Sequence, residues 1–178
     1  SAGVLVSHDQ GRTWAPRGDI ALPDTWLIEN TVVPTAGGGV LMLFRTGAGR
    51  IYSTLSMDEG ESWTDPTATE LPNPNSKTSM FKCQSGEVVL AYNHSTERRA
   101  PLHLAVLPPQ EDPTLLLREG SWRHAAVVEA DPEGNFAYPT VLEWEPGVVK
   151  VAYTFWGKGL RMATVTLPET YAELPEFK

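Results

Sequence analysis

An eight-residue pattern that occurs twice constrains this chain more than any other feature. Ser7-His8-Asp9-Gln10-Gly11-Arg12-Thr13-Trp14 and Ser56-Met57-Asp58-Glu59-Gly60-Glu61-Ser62-Trp63 both read Ser-x-Asp-x-Gly-x-Thr/Ser-Trp, and their tryptophans are 49 residues apart. That interval is the length of one four-stranded propeller blade. A degraded third copy ends at Gly120-Ser121-Trp122, 59 residues after Trp63, its turn enlarged by Leu107 to Pro113. The residue types describe a stapled hairpin. The Asp accepts backbone N–H groups of its own turn, the Gly supplies a positive φ, and the Trp is expected to pack beneath. Asp9 and Asp58 are therefore expected to be structural rather than metal- or substrate-binding.

Between these turns the chain reads as short strands. Val40 to Arg45, Val88 to Asn93 and Val148 to Phe155 are apolar runs that each follow a glycine-containing turn. A strand is expected before each of them (Glu29 to Val33, Ser79 to Cys83, Tyr138 to Trp144) and another after (Arg50 to Ser56, Leu102 to Leu107, Leu160 to Leu167). Thr170 to Leu174 offers one turn of helix. The expected fold is all-β: four-stranded antiparallel propeller blades, about three of them, after a leading fragment from Val4 to Trp14. The whole of 1–178 is read as one partial propeller domain. Three blades do not close a ring, so further blades or a second chain are the expected partners at its open ends.

Composition narrows the function. A hydrophobic share of 41% with 20% charged residues suits a globular core. The formal net charge of −8 argues against a nucleic-acid surface. Any anion site must be local. The single cysteine, Cys83, permits no internal disulfide and reads as a buried apolar residue. No run of residues suits a membrane span. No pair among His8, His94, His103 and His124 has metal-ligand spacing, so neither metal nor cofactor is expected.

The chemistry-bearing candidates recur from blade to blade. Glu29 opens one strand and Arg45 ends the next, which places both at one rim of an up-and-down blade. A structural salt bridge is the simpler alternative. Arg99, with Arg98 as its rival, follows the second strand of the next blade. Tyr138 opens the first strand of the last. Asn75 and Asn93 are candidates for lining a pocket between them.

These residues, with the Asp boxes, Leu71-Pro72-Asn73-Pro74-Asn75-Ser76, Arg99-Ala100-Pro101-Leu102 and Ala137-Tyr138-Pro139, make the chain resemble the sialidase (neuraminidase) superfamily, in its C-terminal half. The resemblance implies a six-bladed propeller and a glycoside hydrolase acting on a sialic acid or related acidic sugar. Arg45 and Arg99 would be two of three carboxylate-binding arginines, Tyr138 the nucleophile and Glu29 its base. The family's first arginine and its acid/base Asp lie on earlier blades, and Arg12, Arg17 and Asp19 do not match them. A non-catalytic carbohydrate-binding propeller and a scaffold that shares only the Asp boxes are the competing readings.

Overall fold

The computed structural model describes residues 1–168, 170, 171, 174 and 175. The helical turn expected at Thr170 to Leu174 includes residues outside that set. The chain is a partial β-propeller. Strands β1 (Ala2–Val6) and β2 (Ala15–Ile20) form a leading hairpin. Next come two four-stranded antiparallel sheets, the first of β3 (Ile28–Pro34), β4 (Val40–Arg45), β5 (Arg50–Ser56) and β6 (Thr67–Pro72). The second holds β7 (Ser79–Lys82), β8 (Val88–Asn93), β9 (Leu102–Leu107) and β10 (Arg123–Glu129). Strands β11 (Phe136–Glu145), β12 (Val148–Phe155) and β13 (Gly159–Thr166) make the last sheet, three-stranded among the described residues.

The apolar runs are explained by sheets covered on both faces. Along β8, Val88, Leu90 and Tyr92 enter the core shared with the preceding sheet, while Val89 and Ala91 enter the core shared with the following one. Side chains alternate between faces at period 2. A strand between two sheets is therefore covered at every position, and all six residues of β8 are buried, Val88 to Tyr92 forming the apolar run and Asn93 making its hydrogen bonds inside. Strand β12 has a neighbouring sheet on one face only. It buries Val149, Val151 and Tyr153 but not Lys150, Ala152 or Thr154. The uncovered face of the last sheet exposes Leu142, Trp144, Leu160 and Met162, and the Lys150 ammonium lies 3.4 Å from the centre of the Trp144 ring.

Both Asp boxes fold as the pattern requires. Asp9 accepts the backbone N–H of Thr13 at 2.8 Å and its hydroxyl at 2.7 Å, and Asp58 accepts the N–H of Ser62 at 2.8 Å and its hydroxyl at 2.5 Å. These bonds hold both carboxyls down at a pKa of about 2. Gln10-Gly11 and Glu59-Gly60 are pairs of left-handed residues, with φ of 62° and 84° in one turn and 59° and 93° in the other, the geometry of a tight hairpin turn. Glu61 of the second box links the two, accepting from His8 at 2.8 Å and pairing with Arg17.

One expectation about these turns needs correction. Trp14 donates its indole N–H to the Gly11 carbonyl at 3.1 Å, yet it is 59% exposed rather than packed beneath its turn. Trp63 makes the same bond and in addition packs on the leading hairpin beside Gly18 and Ile20. Its burial comes from the neighbouring sheet, not from the motif. At the degraded third copy the turn is replaced by a short 3₁₀ helix, Pro113–Leu117, capped by Asp112. Trp122 keeps its place and is 1% exposed in the core between the first two complete blades.

Cys83 is 2% exposed, and burial with the nearby acidic groups Glu87 and Glu143 pushes its thiol up to about 12. It is an inert core residue.

Candidate functional site at the rim of three successive blades

The antiparallel ladders put the start of each blade's first strand and the end of its second at one rim. In the first complete blade Ile28 pairs with Arg45, and a bulge follows before Thr31 pairs with Leu43. In the last blade Ala137 pairs with Thr154, and an equivalent bulge follows before Thr140 pairs with Ala152. Glu29 and Tyr138 are the bulged residues at matching positions. Both are left-handed, with φ of 47° and 51°, and so is Asn75 at 55°. Left-handed backbone costs a non-glycine residue about 1 kcal/mol or more. Three such residues at one rim mark a place where side chains are re-aimed at the expense of the ladder.

The side chains converge. The Arg45 guanidinium donates to Glu29 at 2.7 Å through Nη1 and to the Asn75 side-chain carbonyl at 2.8 Å through Nε. Tyr138 lies close enough to Arg45 to act on its charge. Burial works against the Arg45 charge, but Glu29 and then Tyr138 outweigh it, and its pKa lies above the ordinary arginine value. Only 12% of the Arg45 side chain is exposed, against 33% for Glu29. The Tyr138 ring lies 5.3 Å from the guanidinium carbon of Arg99, within cation–π range. Glu29, Arg45, Tyr138 and Arg99 thus form one continuous cluster drawn from three blades.

Arg98 pairs with Glu133 and keeps 54% of its side chain exposed, so it stands apart from the cluster and Arg99 is the arginine within it. The Arg99 segment is anchored through its backbone. The carbonyl of Arg99 accepts the N–H of Phe136 at 2.8 Å, two residues before Tyr138. Asn93 differs from its expected place on a pocket wall. It is fully buried, accepting from the Ser76 hydroxyl at 2.7 Å and donating to the Phe136 carbonyl at 3.0 Å. A side chain with both amide ends used inside the protein positions the strand that carries Tyr138 and offers nothing to the rim.

The model of the BNR repeat-like domain family matches residues 1–151. The chain belongs to that family. No curated protein matches it. Solved structures share the fold. One is a mutant of the NanB sialidase from Streptococcus pneumoniae, 21% identical with a TM-score of 0.72, covering 92% of this chain and 26% of that one. The leech intramolecular trans-sialidase complexed with 2,7-anhydro-Neu5Ac is 16% identical with a TM-score of 0.69, covering 91% of this chain and 27% of that one. A protein of unknown function from Dyadobacter fermentans is 22% identical with a TM-score of 0.65, covering 90% of this chain and 43% of that one. The BNR repeat-like chain spans less than half of each of these structures, and at such identities the likeness concerns the fold.

The second complete blade of this BNR repeat-like chain holds a histidine cluster that spacing in the sequence conceals. His94, His103 and His124 lie on consecutive segments that the β8–β9 and β9–β10 ladders bring together. His94 stacks on His103 with centroids 4.8 Å apart, His103 and His124 approach at 3.1 Å between ring nitrogens, and Tyr92 bonds His94 at 2.7 Å. Among the described residues no group of three or more His, Cys, Asp or Glu side chains is arranged to hold a metal ion. Burial, with the other two histidines, drives the His103 pKa down to about 4 from its usual 6.5, and burial lowers that of His94. The folded ring stays neutral while the unfolded chain takes up a proton below about pH 6.5. The stabilisation is therefore complete above that pH and is lost as pH falls towards 4. Urea unfolding at pH 7.5 and 4.5 should show the His103→Leu variant losing about 2–3 kcal/mol less on acidification than the wild type. Equal losses would remove His103 as the source.

Proposed function

We propose that the chain contributes the carboxylate-binding and nucleophile side of a glycosidase site of sialidase type, acting on a terminal acidic sugar. The observation that carries the reading is the Tyr138 side chain close to both Arg45 and Arg99, with Glu29 paired to Arg45. Two guanidinium groups suit a planar carboxylate, which each can engage through two N–H donors. Close to such a carboxylate an anionic nucleophile would be repelled, whereas a phenol arrives neutral. Tyr138 would attack the anomeric carbon as it passes its proton to Glu29, forming a glycosyl–tyrosine bond while the bond to the leaving alcohol breaks. Protonation of that alcohol needs a separate acid, for which no residue of this chain is assigned. The neighbouring structures named as a sialidase and a trans-sialidase support the choice of acidic sugar.

Calorimetry with N-acetylneuraminic acid and with galactose tests the reading. Binding of the acid but not of the neutral sugar is expected. Arg45→Met should weaken it roughly 10- to 100-fold, the worth of a charge-assisted hydrogen-bonded pair. Equal affinity for both sugars, or an Arg45→Met variant that binds the acid as the wild type does, would overturn it.

A further inference from the structure

The innermost strands repeat one contact, and it fixes the correspondence between blades. The Thr31 hydroxyl on β3 accepts the N–H of Met80 on β7 at 3.0 Å, and the Ser79 hydroxyl on β7 accepts the N–H of Val141 on β11 at 3.3 Å. The ladders agree: Thr31 faces Leu43, Ser79 faces Ala91 and Thr140 faces Ala152 across their first strand pairs. Thr31, Ser79 and Thr140 are thus equivalent. Two residues before each of them stand Glu29, Lys77 and Tyr138. The first and last of these belong to the rim cluster, and the middle one is a lysine.

Lys77 follows directly on two residues fixed at that rim. Asn75, left-handed at φ 55°, accepts from Arg45. Ser76 is buried and bonded to Asn93. Lys77 itself is half-buried, and no hydrogen bond or ion pair involves its ammonium among the described residues. A half-buried lysine whose ammonium has no carboxylate partner among the described residues leaves an uncompensated positive charge at the rim. Arg45 already spends one N–H on Glu29 and another on Asn75, so the cluster's positive charge is partly neutralised from within.

We propose that Lys77 is a specificity-determining residue that places a third cation, beside Arg45 and Arg99, on the carboxylate of an acidic sugar. The proposal rests on the site reading given above. An ammonium is a compact charge with rotatable donors, so it can meet a carboxylate oxygen from the middle of the arc without the planar match that the arginines require.

The test compares N-acetylneuraminic acid with its methyl ester, by calorimetry at low and moderate salt, on the wild type, Lys77→Met and Lys77→Arg. Urea midpoints serve as the check on folding. The wild type should prefer the acid. Lys77→Met should reduce that preference about tenfold with an unchanged urea midpoint and a weaker salt dependence, and Lys77→Arg should restore most of it. Should Lys77→Met fail to fold, Lys77→Gln carries the same comparison. An unchanged acid-over-ester preference in these variants overturns the role of Lys77 and leaves Arg45 and Arg99 standing. A wild type that binds neither compound overturns both readings.

Discussion

Tyr138→Phe should lower the hydrolysis of an aryl glycoside of an acidic sugar by at least about a thousandfold while leaving the affinity for the sugar itself within a few-fold of the wild type. The substitution keeps the ring that Arg99 covers at 5.3 Å and removes only the oxygen. Loss of a nucleophile falls on the chemical step, so kcat carries the effect and KM does not. The left-handed φ of 51° at this position is as acceptable to phenylalanine as to tyrosine, so a fall in stability would not explain the loss. The outcome separates three readings. Retained turnover removes Tyr138 as the nucleophile. Sugar binding without product release from the wild type identifies a carbohydrate-binding propeller. Absence of both leaves the Asp-box scaffold.

The second large effect is on stability. Trp122→Ala should destabilise the chain by about 3–5 kcal/mol, the usual result of truncating a large buried aromatic and leaving a cavity. Trp122 is 1% exposed among Leu71, Leu107 and Leu116, and its backbone N–H donates to Glu70 at 3.1 Å. Trp14→Ala is the matched control. Trp14 ends an intact Asp box yet is 59% exposed, so its loss should cost less than about 1 kcal/mol. Urea unfolding of both variants checks the contrast. A smaller effect at Trp122 than at Trp14 would mean that the motif, not the packing between sheets, decides what these tryptophans contribute.

The contrast has a general reason. The bonds of an Asp box are closed within eight residues, so the motif folds on its own terms wherever its residues occur. What its tryptophan contributes depends on the neighbouring sheet. Trp63 has the leading hairpin beside it, and Trp122 has the core between two blades even though its own turn has become a 3₁₀ helix.

The site divides in the same manner. That Glu29, Arg45, Arg99 and Tyr138 reach one rim follows from strand order in an up-and-down blade, and strand order was legible from the spacing of turns and apolar runs. The choice of Arg99 over Arg98 was not, because adjacent residues differ only in which way the backbone turns them. It took the bond from Phe136 to the Arg99 carbonyl and the pairing of Arg98 with Glu133 to separate them. Asn93 was misplaced for a related cause: an amide at a strand end looks alike whether it faces a pocket or a neighbouring strand. The histidine cluster was invisible because its members are 9 and 21 residues apart and meet only across the ladders.

By itself, then, the sequence determined the turns, the blade period and the apolar runs of the strands, because each depends on residues close together in the chain or on a simple alternation of faces. The tertiary structure alone decided which tryptophans are buried, which arginine stands over Tyr138, and that a lysine occupies the blade position between Glu29 and Tyr138. Those outcomes depend on how one sheet is seated against the next, and the contacts that fix the seating, such as Thr31 with Met80 and Ser79 with Val141, join residues 49 and 62 positions apart.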